Sequence, residues 1–141
     1  MATLLYDVAR YFTTLNATSP IRTNFGAAFT FGTNVFVGVV PATPTNCVTI
    51  LPYGGRPPDT RTKKAQYPSV QLRIRCNTYQ KGYKVTQAII NSMHLNDKVC
   101  ASIRGIAYAI QSQPVFLEYD EEEQPIFLAN MDFNLIQYTV S

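Results

Sequence analysis

The sequence predicts an α+β domain, a mixed or antiparallel β-sheet with two α-helices packed on one face. Three observations predict it. Leu4, Leu5, Val8, Phe12 and Leu15 recur at three- and four-residue intervals, the spacing of one apolar helix stripe. Val70, Leu72 and Ile74 alternate with Gln71, Arg73 and Arg75, the period of two of a half-buried strand. The elements also come in the order helix, two or three strands, helix, strands, with no internal repeat or linker. A chain of 141 residues is one domain by length, residues 1–141, and can bury a core without staples.

The first helix is expected from Thr3 to about Leu15, with Asp7 and Arg10 facing away from the stripe. Asn16 to Pro20 ends it, because Asn, Thr and Ser bond locally to the backbone and Pro20 bars continuation. Ile21 to Asn34 mixes Gly26 and Gly32 with Phe25, Phe29 and Phe31, aromatics that suit a core edge or a subunit contact. Asn34 to Val40 is a near-continuous apolar run, expected as a central strand covered on both faces and ended by Pro41 and Pro44. Cys47 to Leu51 follows after a short connection, which predicts an antiparallel pair.

Pro52 to Asp59 then carries prolines and glycines that should stop the ladder. The reading therefore places a long extended loop at about residues 52–67, ahead of the strand at Val70 to Arg75. A second helix is expected from Thr78 to about Leu95, with Asn77 or Thr78 as N-cap. Ile106, Tyr108 and Ile110 alternate with small residues in the next strand. Residues 114–119 and 126–138 form a hairpin around the acidic turn Asp120 to Gln124. In its second strand Phe127, Ala129, Met131, Phe133 and Leu135 alternate with Leu128, Asn130, Asp132, Asn134 and Ile136.

Charge is distributed unevenly. The net charge is only +3, too small to mark a nucleic-acid binder. From Arg56 to Lys84, however, there are eight basic side chains and one acid, Asp59, and from Glu118 to Glu123 there are five acids and no base. Both segments can be solvated loops. Alternatively, a chain basic in its middle and acidic near its end can pair head to tail with copies of itself, and heterologous contacts of that kind close into rings. The loop with Arg56, Arg61, Lys63 and Lys64 would then be an arm that orders on a neighbouring subunit. Charged residues are few and tyrosines and phenylalanines many, which suits either a β-rich core or a surface covered by partners.

The same residues carry a resemblance. An apolar strand ending in Tyr53-Gly54-Gly55-Arg56-Pro57-Pro58-Asp59, followed by Tyr67-Pro68-Ser69-Val70-Gln71-Leu72-Arg73-Ile74-Arg75, resembles the small bacteriophage minor capsid and tail-terminator family. Asn77-Thr78-Tyr79 fits the turn and aromatic-led helix that follow in that pattern. The match covers the middle third, and the order of elements fits the whole chain. The resemblance implies a small sheet with two helices against it and a structural virion protein at the neck or top of the tail, assembled in the bacterial host cytoplasm. It implies a homo-oligomeric, hexameric ring that caps the tail tube, ends tube polymerisation and joins the tail to the head-closure proteins. Its partners would be itself, the tail tube protein and a head-closure or neck protein, and DNA would pass through the ring without specific binding. The interface residues singled out are Arg56, Arg61, Lys63 and Lys64 in the arm, Arg73 and Arg75 on the strand, and Glu121, Glu122 and Glu123 as partner charges.

Catalytic and cofactor constellations are not found in the sequence. Cys47, Cys76 and Cys100 form no CxxC pair or metal spacing, and read as three reduced, partly buried thiols. His94, the lone histidine, falls near a helix C-terminus, where it reads as a capping or surface residue. Gly54-Gly55 is followed by Pro57-Pro58 rather than by a phosphate-binding helix. Glu121 to Glu123 lack the spaced ligands and glycine of a calcium loop. Asp7 and Arg10 argue against a signal peptide, and no apolar run reaches the ~18 residues of a membrane span. The reading is a structural protein and not an enzyme, with no cofactor, metal or membrane. Two alternatives stay open: another neck protein, a head-closure or adaptor component, or a nucleic-acid-binding module using Arg73, Arg75 and the tyrosines of the second helix.

Overall fold

The computed structural model describes residues 2–13, 25–26, 29–56, 65–96, 99 and 104–136. Its elements are α1 (Ala2–Thr13), β1 (Val35–Val37), β2 (Cys47–Arg56), β3 (Ala65–Arg75), α2 (Tyr79–Met93), β4 (Arg104–Ala109), β5 (Val115–Tyr119) and β6 (Pro125–Ile136). Six strands form one mixed sheet in the order β1-β2-β3-β6-β4, with β5 also paired to β6. Every pair is antiparallel except β1 with β2.

Period-two patterning builds the core. Val48 and Ile50, Val70, Leu72 and Ile74, and Phe127 to Leu135 at alternate positions turn one sheet face inward and are buried. Leu4, Val8 and Phe12 of α1 and Val85, Ile89, Ile90 and Met93 of α2 join the aliphatic side chains of that face in one cluster, so both helices lie on the same side. Each such side chain contributes roughly 1.5–3 kcal/mol by leaving water. Phe12 and Phe25 both meet Phe29, with ring centroids 5.3 and 4.6 Å apart. Phe25 and Phe29 thus cover the core edge, whereas Phe31 stays exposed beside Tyr6. Thr78 caps α2 by accepting from the Lys81 N–H, and Gly82 lets the helix settle on Phe127.

Four expectations are corrected. β1 is a three-residue edge strand, because Gly38 turns at φ +83° after donating to the Ile50 carbonyl. It runs parallel to β2: a strand of about 10 Å is short enough for residues 38–46 to return alongside it without a helix. The β2–β3 ladder does not stop at Pro52. It passes a bulge and continues to Arg56 opposite Tyr67, so the connecting segment is residues 57–64, outside the described residues. Gly55 makes this possible at φ +112°, where a Cβ would lie 2.7 Å from Pro68 Cα. Asp7, expected on the wet side of α1, is buried and pairs with Arg10 at 3.5 Å.

Candidate assembly interface

Arg75 and Asp120 shape the acidic end of the sheet. Arg75 ends β3 on the face away from the helices, and its side chain is only 4% exposed. Its Nη2 donates to the carbonyls of Pro41 (2.6 Å) and Pro44 (2.8 Å), and its Nε donates to that of Thr45 (3.1 Å). Nη1 lies 3.6 Å from Asp120 Oδ2. One guanidinium thus holds the 41–45 segment and the β5–β6 turn against β3. Asp120 Oδ1 in turn accepts from the backbone N–H groups of Glu122 (2.9 Å) and Gln124 (2.8 Å). The turn closes around that carboxylate, and Glu121, Glu122 and Glu123 are left exposed with no ion pair among the described residues.

The sequence placed Arg73 and Arg75 together on an outward face. They separate. Arg75 is taken up by its own chain, paired with Asp120 of the acidic turn, whereas Glu121, Glu122 and Glu123, the partner charges singled out, do not meet it. Arg73 is half-buried, donates from Nε to Gln71 Oε1 at 3.0 Å and has no carboxylate partner among the described residues. Elsewhere on this sheet face Leu51, Leu128 and Ile106 mix with polar groups: Ser69 bonds Asp132, and Asn134 bonds the Tyr108 hydroxyl at 3.2 Å. An open cavity of about 240 Å³ between Tyr67, Tyr108, Asp132 and Asn134 is smaller than small-molecule sites usually are, and fits a single side chain.

Arg61, Lys63 and Lys64, and the side chain of Arg56, lie outside the described residues, but the register fixes where their segment begins and ends. Ala65 pairs with Ile136 at one end of the β3–β6 ladder, and Arg75 pairs with Ile126 at the other, next to the acidic turn. At about 3.3 Å per residue the two ends are roughly 33 Å apart. The eight residues 57–64, tethered at both ends, reach at most about 13 Å beyond the sheet. The basic segment of one chain therefore cannot reach its own glutamates.

The sheet perimeter is closed along β4 and open along β5. β4 is sealed by the end of α2: Leu95 N donates to Ala107 O (2.8 Å), Ala107 N to Asn96 O (3.1 Å), and Ala109 N to His94 Nδ1 (3.0 Å). Between β4 and β5 the side chain of Gln111 replaces the missing backbone, accepting from Asn130 N (3.2 Å) and donating to Leu128 O (2.9 Å). β5 itself has no outer neighbour among the described residues, and all five of its residues are exposed. Phe116 packs with Tyr79, Tyr119 and the buried Phe127, centroids 5.0–5.7 Å apart. Sequence reasoning passed over this patch. Its signal was a strand too apolar for an edge, Val-Phe-Leu-Glu-Tyr, running into a turn of consecutive acids.

Cys47 and Cys76 are buried free thiols, while Cys100 lies outside the described residues. Burial pushes Cys76 up to about 12, with the neighbouring Cys47 adding to the shift and Lys81 opposing it. Burial also raises Cys47, partly offset by Arg75. Among the described residues no group of three His, Cys, Asp or Glu could hold a metal ion, and no helix is long and apolar enough to cross a membrane.

A chain of the solved structure described as the virion of a native gene transfer agent (GTA) particle superposes with a TM-score of 0.59 at 10% identity, over 86% of this chain and 88% of that one. No curated protein matches the sequence. Residues 17–138 match the profile of the bacteriophage tail terminator protein, and the chain belongs to that family. It is a structural protein of the phage tail, and its place is in the virion.

Proposed function

We propose that identical copies of this chain close into a ring, a hexamer, on the last ring of the tail tube. The ring ends tube polymerisation and offers its other rim to the head-closure proteins of the neck. The observation that carries this reading is the separation of charge. Glu121 to Glu123 and the segment with Arg56, Arg61, Lys63 and Lys64 sit at opposite ends of one β3–β6 ladder, too far apart to neutralise each other within a chain. Head-to-tail contact between copies satisfies both, and a contact of that type closes into a ring when its rotation permits. Assembly would take place in the host cytoplasm, before the tail is joined to the head.

DNA passes through the ring without specific binding. Supporting this, Arg75 is withdrawn from solvent, and Arg73 is the one guanidinium of the strand left half-exposed. A tight, salt-sensitive grip would need several phosphate contacts.

The test is negative-stain imaging and light scattering of the purified protein, with and without tail tubes. Rings alone, or rings seated at tube ends with growth arrested, are the expected result. A monomer that neither binds tube ends nor changes tube length would overturn the reading.

A further inference from the structure

We infer that β5 and the aromatic patch beside it form the docking site for the basic 56–64 segment of a second copy of this chain. The inference rests on the ring reading and gives its contact a location. Natural sheets blunt their edges, and this one does so along β4 with His94, Leu95 and Asn96. Among the described residues β5 has no outer neighbour, and it presents Val115, Phe116, Leu117 and Tyr119 to solvent. An exposed strand edge offers a row of backbone donors and acceptors to an extended segment, which adds as a further strand.

Charge and ring chemistry select the occupant. Tyr79, Phe116 and Tyr119 make an aromatic face on the helix side of this edge, Glu118 stands opposite Ile126 on its other side, and Glu121, Glu122 and Glu123 are exposed in the turn that follows. Carboxylates beside aromatic faces favour guanidinium and ammonium groups, which stack on the rings and pair with the acids at once. Within this sequence the stretch with that chemistry is residues 56–64, with Arg56, Arg61, Lys63 and Lys64 against Asp59 alone. Val115, the near end of β5, pairs with Leu128, about 26 Å along the ladder from Ile136, so a chain's own segment stops short of the site by roughly 13 Å and the occupant comes from another copy.

The test places the photo-crosslinker p-benzoylphenylalanine at position 117 in the full chain. Light and heavy isotope-labelled copies are mixed and irradiated with and without tail tubes, and crosslinked peptides are identified by mass spectrometry. A mixed-isotope crosslink from position 117 to the peptide spanning 56–64 is the expected result. Leu117→Lys, which puts a like charge on the edge, should raise the concentration needed for ring formation roughly tenfold or more, with an unchanged thermal midpoint. If rings form but the crosslinks fall elsewhere, on the tube protein or on another face of the chain, or are absent, the docking site is wrong and the ring stands. If no ring forms with or without tubes, the ring reading falls and the docking site with it.

Discussion

The guanidinium of Arg75 stands 3.6 Å from the carboxylate of Asp120, 45 residues later, while its other nitrogens hold three backbone carbonyls of the 41–45 segment. A single side chain therefore fixes both the covering of β3 and the tip that carries the exposed acids. Arg75→Ala should cost about 3 kcal/mol or more in urea unfolding, because it takes the countercharge from a part-buried carboxylate and leaves three carbonyls without their donor. Arg75→Lys should recover less than half of that loss, since an ammonium cannot reproduce the fork.

Gly82 faces the ring of Phe127, and an added Cβ would meet Phe127 Cε2 at 2.7 Å. In an exposed helix Gly→Ala would stabilise by about 1 kcal/mol. Here Gly82→Ala should destabilise by about 1–3 kcal/mol, because the ring is fully buried and α2 must lift from the sheet. Thermal unfolding checks the sign, which is opposite to the propensity expectation.

Cys76 gives a pH dependence. Its folded-state pKa of about 12 lies above the 9.0 of a free thiol. The folded chain therefore keeps the proton where the unfolded chain loses it. The corresponding stability is fully present below about pH 9 and is lost as the pH rises from there towards 12, with a slope of up to ~1.4 kcal/mol per pH unit. Cys76→Val should lose less stability than the native chain between pH 9 and 11. Equal losses in the two proteins would show that the thiol does not contribute.

Glu121, Glu122 and Glu123 are exposed and outside any ion pair among the described residues. Replacing all three by Gln should leave the unfolding free energy within about 1 kcal/mol of native. The same change should weaken assembly and flatten its salt dependence, as light scattering across an ionic-strength series would show.

Local signals carried much of the fold. The stripe at Leu4, Val8 and Phe12, the cap at Thr78, the alternation along β3 and β6, and the hairpin around the acidic turn all appear where periodicity placed them. What escaped depended on residues distant in sequence. Arg75 has the pattern of a wet strand position, and its burial comes from a segment about thirty residues earlier folding over it. The ladder through Gly54 and Gly55 escaped because glycine signals a break and a bulge alike. In β4 the small residues Gly105 and Ala107 face inward while Ile106 and Tyr108 turn out, because β6 leaves no room for a Cβ at Gly105. Of the expected interface, the glutamates are exposed and Arg75 is not, and the patch on β5 was passed over because a short apolar strand reads first as core.

Gln111 splices its own amide into the hydrogen-bond ladder of β6, so the ladder runs on across the interruption between β4 and β5. On the docking site inferred above, the outward Val115 and Leu117 can be rewritten to tune how strongly copies adhere, or to make two related phages ignore each other's subunits, while Phe116 keeps its packing on the buried Phe127.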